Sequence, residues 1–136
     1  MINGIAASSA AAGAAEIALY DVSAAAMDAL AGRLIAHYPK LPFAVGANDP
    51  SGFYIAVNAA PLGTYPVDPM PIDVVRLTPS TFIAEVVMKH ETTAFLAAAR
   101  ARGCKTQAGV DMLFEQIPAC PSATPDALRA VAQIDY

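Results

Sequence analysis

Short apolar runs that alternate with helix-like segments constrain the fold of this chain more than any other feature. Apolar runs occupy 16–20, 43–45, 53–59 and 81–87, and turn-forming or capping residues separate them from helical patterns. The run 53–59 (FYIAVNA) is apolar almost throughout, as a strand covered on both faces would be. This alternation predicts a mostly parallel sheet with helices on both of its faces.

The first helical segments have clear start and stop signals. Residues 5–13 form a pattern of small apolar residues, and Ser23 is placed to cap a second helix that runs to Tyr38. Thr92 or Thr93 leads into a third helix, which Gly103 stops. Between the second and third helices, residues 60–73 contain four prolines and one glycine, and we expect them to form a loop.

The last third of the chain predicts one more strand and two more helices. Residues 104–107 (CKTQ) are a candidate for a short strand, and a helix is expected from Gly109 onwards. The segment 124–134 (TPDALRAVAQI) predicts a helix with Thr124 as its N-cap and Pro125 in its first turn. The whole chain, 1–136, is therefore expected to be a single truncated domain. Its expected fold is an incomplete Rossmann-like three-layer α/β fold with four to five strands, against six in a full doubly wound sheet.

Composition excludes several classes of protein. The net charge of −4 offers little to neutralise phosphates, which argues against a nucleic-acid partner. The chain is 56% hydrophobic, yet it has neither a basic amphipathic helix nor an apolar run long enough to span a membrane. Cys104 and Cys120 lack metal-ligand spacing and are expected to be reduced thiols, which favours a cytoplasmic protein. No acidic cluster has the spacing of a metal site.

Three positions carry the best signals of chemistry. Asp21 ends the second apolar element, where a carboxylate can accept both hydroxyls of an adenine ribose, although it could equally be a turn or cap residue. The stretch 57–63 (VNAAPLG) leaves a strand at the sheet edge where ligands bind, or is an ordinary strand exit. Gly109 begins a helix whose free N–H groups could face a ligand, and Gln116 lies two turns further along the same face.

Both histidines are expected to lie on the surface rather than to act as catalysts. Neither His37 nor His90 has a paired Asp or a nearby Ser or Cys nucleophile in the sequence. Of the two, His90 is the better candidate because it lies just beyond the end of a predicted strand. We therefore name no catalytic residue.

Taken together, these pieces resemble the C-terminal half of the shikimate/quinate dehydrogenase family. The stretch VNAAPLG resembles the family's N-A-T-P-x-G, with Ala60 in place of the threonine. The stretch 82–116 resembles its D-x-x-Y-x-P-x-x-T-x-L-L…G-x-x-M-L-x-x-Q block, and 18–34 (ALYDVSAAAMDALAGRL) resembles the strand, acidic turn and helix that follow its glycine loop. Glu85 stands at the acidic position of the block, and Met88 replaces its tyrosine.

The resemblance implies an oxidoreductase that transfers a hydride between NAD(P) and a cyclohexane acid. It implies that Asp21 binds the adenine ribose and favours NAD, and that Gln116 contacts the substrate. The remaining residues implied to lie by the cofactor's nicotinamide end are Asn58, Ala59, Pro61, Val86 and Gly109.

Several parts of the family pattern have no counterpart in these residues. Nothing corresponds to the domain that carries the catalytic lysine and aspartate, and Ile2 stands where the last glycine of the phosphate-binding loop would be. The first Rossmann strand, normally central in the sheet, is also unmatched. We therefore expect NAD binding to be weak or lost and expect a homo-oligomer formed through the exposed sheet edge.

Three functional hypotheses follow from the sequence. The chain is a cofactor domain derived from a shikimate/quinate dehydrogenase-like oxidoreductase and inactive alone. Alternatively, it is an engineered or minimised Rossmann scaffold with a structural or assembly role. The third possibility is an NAD-dependent shikimate/quinate dehydrogenase that another chain completes.

Overall fold

The computed structural model describes residues 2–60, 62–87, 92–108 and 129–134, and it has a three-layer α/β architecture. Six parallel strands form one sheet in the order β2-β1-β6-β3-β4-β5. In chain order the elements are α1 (Ile2–Ala11), β1 (Glu16–Asp21), α2 (Ala24–His37), β2 (Phe43–Val45), β3 (Ile55–Asn58), β4 (Phe82–Glu85), α3 (Ala94–Ala101), β5 (Lys105–Ala108) and β6 (Arg129–Ile134). A single 3-10 turn, Val74–Arg76, precedes β4.

The helices that the sequence predicts in its first two thirds begin where their capping residues stand. The Ser23 hydroxyl accepts a hydrogen bond from the Ala26 N–H and caps α2. Thr93, rather than Thr92, caps α3 in the same way, through the Leu96 N–H. Beyond the end of α3, Gly103 has a φ of +82°, a left-handed conformation that side chains other than glycine rarely adopt. These signals are local in sequence, and the structure confirms them.

Two apolar cores separate the layers, one on each face of the sheet. Since side chains alternate along a strand, Ile17 and Leu19 of β1 point to one face and Ala18 points to the other. The first face packs under α1 and α2, where Ile5 and Leu30 are almost fully buried. The second core packs under α3 and the 3-10 turn, and its buried residues include Ile72, Leu77, Ile83, Phe95 and Leu96. The expectation of helices on both faces of a parallel sheet is therefore confirmed.

The strand count is higher than the sequence predicts, because 129–134 is a strand and not the expected helix. β6 pairs in parallel with β1 on one side, with Ala18 opposite Val131, and with β3 on the other, with Ala56 opposite Val131. It occupies the central position that the first strand holds in the usual doubly wound order. The sequence offers no match for a first Rossmann strand, but β6 fills the central position and pairs with both β1 and β3.

Residues 129–134 form a strand because unpaired backbone groups at the centre of a covered sheet are very unfavourable. The N–H and C=O groups of β1 and β3 that face inward have no access to water between two helical layers. A segment that satisfies both rows of groups gains more than the local helix signals at Thr124 and Pro125 can offer, because tertiary pairing overrides weak helix propensity. Residues 109–128, which include the expected helix from Gly109, lie outside the described residues.

Amide hydrogen exchange measured by NMR tests the position of β6. We expect the β1 amides that face β6 to exchange as slowly as those that face β2, because both sets are paired in the sheet interior. The same slow exchange is expected on the β6 side of β3. If 129–134 were helical, the inward-facing amides of β1 and β3 would exchange at rates typical of open strand edges, and that result would contradict the six-stranded sheet.

Candidate functional site

The carboxyl ends of three strands bring polar side chains to one edge of the sheet. β1 ends at Asp21, β3 ends at Asn58 and β4 ends at Glu85. Asn58 is directly opposite Glu85 in the β3–β4 pair, whereas β6 lies between Asp21 and Asn58. With a strand spacing of about 4.8 Å, the backbones at Asp21 and Asn58 lie roughly 10 Å apart. Ligands of open parallel sheets bind at this edge.

Asp21 is a buried carboxylate of which one oxygen is used locally. Asp21 is only 4% exposed. Oδ1 accepts a hydrogen bond of 2.6 Å from the Ser23 N–H, which fixes the turn into α2. Oδ2 is buried and has no hydrogen-bond partner among the described residues. The residue is therefore a turn residue, as one interpretation of the sequence has it, and it retains an acceptor for a further donor.

Asn58 organises the loop that leaves β3. Its Oδ1 accepts from the Ala60 N–H at 3.0 Å, and its Nδ2 donates to the Leu62 carbonyl at 2.9 Å. Both bonds fold the chain tightly back on itself, and Asn58 and Ala60 are almost completely buried as a result. The Val86 N–H donates to the Asn58 carbonyl, so the ends of β3 and β4 are joined as well. Asn58, Ala59 and Val86, three of the residues expected beside a cofactor, thus lie together at this edge.

Gly63 closes the loop in a conformation that other residues cannot adopt. Its φ is +73°, and a Cβ atom at this position would lie 2.8 Å from both Phe95 Cβ and Pro71 Cδ. The Gly63 carbonyl accepts from the Phe95 N–H at 2.9 Å, which docks the loop on the start of α3. The glycine is therefore required both by the left-handed backbone and by the close approach of the helix.

Glu85 is the most deeply buried charged residue of the site. It has no exposed surface, and its Oε2 accepts a 2.9 Å hydrogen bond from the hydroxyl of Thr93, which is equally buried. Its Oε1 has no partner among the described residues. Burial raises the pKa of Glu85 above its usual range, while the Thr93 hydroxyl, the Asn58 amide and the Arg100 guanidinium each offset part of the rise. The site therefore contains a carboxyl group that holds its proton more tightly than an exposed one does.

The pair formed by Glu85 and Thr93 was not among the site residues expected from the sequence. A signal was present, because Glu85 is the single charged residue in the apolar run 81–87. A charge in the middle of a buried strand indicates either a partner or a function. The hydroxyl that partners it lies eight residues further along the chain. This is the spacing between the aspartate and the threonine of the D-x-x-Y-x-P-x-x-T pattern, but the pattern alone does not indicate that the two side chains are in contact.

Several positions singled out in the sequence, Met88 and Cys120 included, lie outside the described residues. Pro61, Gly109 and the substrate-contact candidate Gln116 are among them, as is His90. His37, the other histidine, is exposed at the last residue of α2. Within the described ranges no group of three or more His, Cys, Asp or Glu side chains is arranged to hold a metal ion. In the same part of the chain, no helix is long and apolar enough to cross a membrane.

Comparison with known proteins gives two similarities. Shikimate dehydrogenase (NADP(+)) of Paracoccus denitrificans is 35% identical over 74 residues, which are 54% of this chain and 26% of the enzyme. The ligand-free crystal structure of 5-ketofructose reductase of Gluconobacter sp. strain CHM43 superposes with a TM-score of 0.69 at 29% identity, covering 90% of this chain and 47% of that one. No model of a known protein family matches.

The fold, the polar groups at the sheet edge and these two similarities all indicate the same kind of domain. This is a shikimate dehydrogenase-like Rossmann domain. The resemblance seen in the sequence motifs is therefore confirmed, as is the α/β fold class. The chain spans about a quarter of the length of the curated relative and about half of the structural neighbour.

Substitution of Gly63 tests how tightly the loop of the shikimate dehydrogenase-like domain is constrained. We expect Gly63→Ala to lower the free energy of unfolding by about 2–3 kcal/mol, because the new methyl group meets Phe95 and Pro71 in a strained backbone. Gly32→Ala is the matched control. It lies within α2 with open space around it and should stabilise by about 0.5–1 kcal/mol. Urea denaturation measures both, and equal effects of the two substitutions would contradict the assignment.

The stability of the domain should depend on pH through Glu85. Because folding raises the pKa of Glu85, the folded chain binds this proton more tightly than the unfolded chain. The resulting stabilisation is complete below the ordinary carboxyl range and is lost as the pH rises through the folded-state pKa. Glu85→Gln removes the titration, so its stability relative to wild type should increase as the pH rises above the ordinary carboxyl range.

Urea denaturation at a series of pH values measures this difference. The variant Asp28→Asn, which changes an exposed carboxylate on α2, is the control and should follow the wild type across the range. A gap between Glu85→Gln and wild type that stays constant with pH would show that Glu85 ionises normally in the folded chain.

Proposed function

We propose that this chain is the cofactor domain of a shikimate/quinate dehydrogenase-like oxidoreductase and that its cofactor is NAD. The observation that carries the proposal is Asp21, a buried carboxylate at the carboxyl edge of β1 whose Oδ2 has no partner among the described residues. An unpaired buried carboxylate oxygen is costly, and the hydroxyls of an adenine ribose are donors that would satisfy it. Both similar proteins are oxidoreductases by name.

The proposed nicotinamide end of the cofactor lies against the loop after β3. Asn58 and Ala59 begin this loop, and Val86 is joined to it by the bond between its N–H and the Asn58 carbonyl. We place Pro61, Gly109 and the substrate-contacting Gln116 beside them on the family resemblance alone. When bound, the cofactor supplies or accepts the hydride, and these residues orient its ring.

Asp21 also favours NAD over NADP in this proposal. The 2′-phosphate of NADP would place negative charge against a buried carboxylate, which is unfavourable in a site of low polarity. The Paracoccus relative is named for NADP(+), so the preference proposed here is the opposite one. It depends on the charge of Asp21 and on little else.

We propose that residues 1–136 by themselves bind the cofactor weakly and do not turn over substrate. The sequence contains no pair of glycines spaced as G-x-G, the arrangement whose N–H groups hold a dinucleotide pyrophosphate. Dehydrogenation also needs a group that moves a proton at the carbonyl oxygen, and none of the described residues matches the family's lysine and aspartate.

Titration of labelled protein with NAD+, followed by amide chemical shifts, tests the cofactor assignment. We expect shifts at Asp21, Val22 and Ser23 with a dissociation constant of about 1 mM or weaker, and smaller shifts with NADP+. The variant Asp21→Asn should lose the preference between the two cofactors, and Asp28→Asn should keep it. A dissociation constant of about 1 μM would contradict weak binding, and saturation without shifts at Asp21 would contradict the ribose assignment. Turnover of shikimate or quinate with NAD+ would contradict the proposed inactivity.

A homo-oligomer in the cytoplasm completes the proposal. With β6 at the sheet centre, the open edges are those of β2 and β5, and Val45 at the end of β2 is 46% exposed. The cytoplasmic location rests on the free thiol of Cys104. Size-exclusion chromatography with light scattering at micromolar concentration should give a mass that is a multiple of 14.0 kDa, and a single monomer peak would contradict the assembly.

A further inference from the structure

Glu85 belongs to a series of hydrogen bonds that leads from the end of β4 to the proposed cofactor loop. The Thr93 hydroxyl donates to Glu85 Oε2 at 2.9 Å, and the hydroxyl oxygen of Thr93 accepts from the Leu96 N–H at 3.2 Å. A hydroxyl has one proton, so the bond to Glu85 fixes its direction and leaves a lone pair for the helix. Thr93 is therefore held in its capping geometry by the carboxyl group behind it.

The first N–H groups of α3 carry the connection onward. The Ala94 N–H donates to the Thr64 carbonyl at 3.3 Å, and the Phe95 N–H donates to the Gly63 carbonyl at 2.9 Å. These donors are free because the first turn of a helix has no internal acceptors for them. The far end of the loop that starts at Asn58 is thus attached to the start of α3. Its near end is attached to β4 through the Val86 N–H.

We propose that Glu85 is a positioning residue, which orients Thr93 so that the start of α3 holds the loop 58–64 in place for the nicotinamide end of the cofactor. The proposal rests on the proposed function for the role of that loop. The link between Glu85, the start of α3 and the loop does not depend on that function, because it consists of hydrogen bonds within the chain.

A simple structural role does not account for a carboxyl group here. Thr93 could cap α3 without any acid, as Ser23 caps α2. A fully buried carboxyl group, one oxygen of which has no partner among the described residues, is less favourable than an apolar side chain of similar size at the same position. The carboxyl group is explained if Glu85 orients the Thr93 hydroxyl and thereby positions the loop.

Amide exchange of Ala94 and Phe95, whose N–H groups contact the loop, tests the link in the full chain. In Glu85→Ala we expect both amides to exchange about five- to tenfold faster, the effect of losing one hydrogen bond, while β1 amides are unchanged. Glu85→Gln keeps an acceptor for the Thr93 hydroxyl and should stay within about twofold of wild type. Asp28→Ala, on the exposed side of α2, is the control and should match wild type.

A double-mutant comparison separates a link from two independent effects. Thr93→Val removes the hydroxyl, and Glu85→Ala should then add nothing further to the exchange rates of Ala94 and Phe95. Additive effects would overturn the proposal, as would loss of protection in Glu85→Gln equal to that in Glu85→Ala. Faster exchange across β1 in Glu85→Ala would also overturn it, because that pattern indicates a general loss of stability.

Titration of the same variants with NAD+ tests whether the link affects the cofactor loop. If the loop meets the nicotinamide, the shifts of Ala59 and Val86 on titration should shrink in Glu85→Ala and return in Glu85→Gln, while the shifts at Asp21 persist. Loss of the Asp21 shifts as well would overturn the positioning role. Absence of any NAD+ shift in wild type would refute the proposed function and leave the link to be decided by the exchange rates.

Discussion

The backbone pairing of β6 with β1 and β3 is the interaction on which the rest of the structure depends. The two strands belong to opposite halves of the sheet, and among the strands that the structure describes β6 alone joins them through hydrogen bonds. Its register places Asp21 and Asn58 at nearly the same height along the sheet, at the carboxyl edge. Both apolar cores contain residues of β1 and of β3. The packing of the helices on both faces of the sheet therefore depends on this pairing. The position of the polar groups at the edge is therefore a consequence of how the centre is filled.

Two carboxyl groups are buried at that edge, and they differ in how accessible they are to a ligand. In Asp21 and in Glu85, one oxygen is bonded and the other has no partner among the described residues. Asp21 stands where the chain enters an exposed turn, with Val22 74% exposed beside it, so a ligand can approach its neighbourhood. Glu85 lies beneath the start of α3 and has no exposed surface. Burial raises the pKa of Glu85 above its usual range, so the folded chain holds this proton more tightly than an exposed carboxyl group would.

Local signals in the sequence predicted local structure well, and their failures have a common cause. Ser23 and Thr93 cap the helices expected of them, and β2 has the bounds that the sequence predicts, 43–45. The same kind of signal, Thr124 followed by Pro125, predicts a helix where residues 129–134 form a strand. Capping residues indicate the local helix preference of a segment. The strand β6 forms instead because the backbone groups of strands far away in the sequence pair with it.

The site follows the same rule. The family motifs implied that Asp21 binds the ribose and that Asn58, Ala59 and Val86 lie by the nicotinamide, and parallel strand order is enough to bring all four to one edge of the sheet. The contact between Glu85 and Thr93 needs the exact path of the chain between β4 and α3. Gly63 shows the intermediate case, because its place in a known motif predicts a tight turn but not the closeness of Phe95.

The late position of β6 in the chain has a consequence for folding. Its partners in β1 lie more than 100 residues earlier, so the centre of the sheet forms through contacts of very long sequence separation. Such contacts carry a large loop-closure cost before they contribute any stability, and they slow folding. Until β6 has paired, β1 and β3 each present an open inner edge, to which a β6 segment from another copy of the chain can also add. Folding and association thus compete for the same strand edges, and protein concentration determines the balance between them.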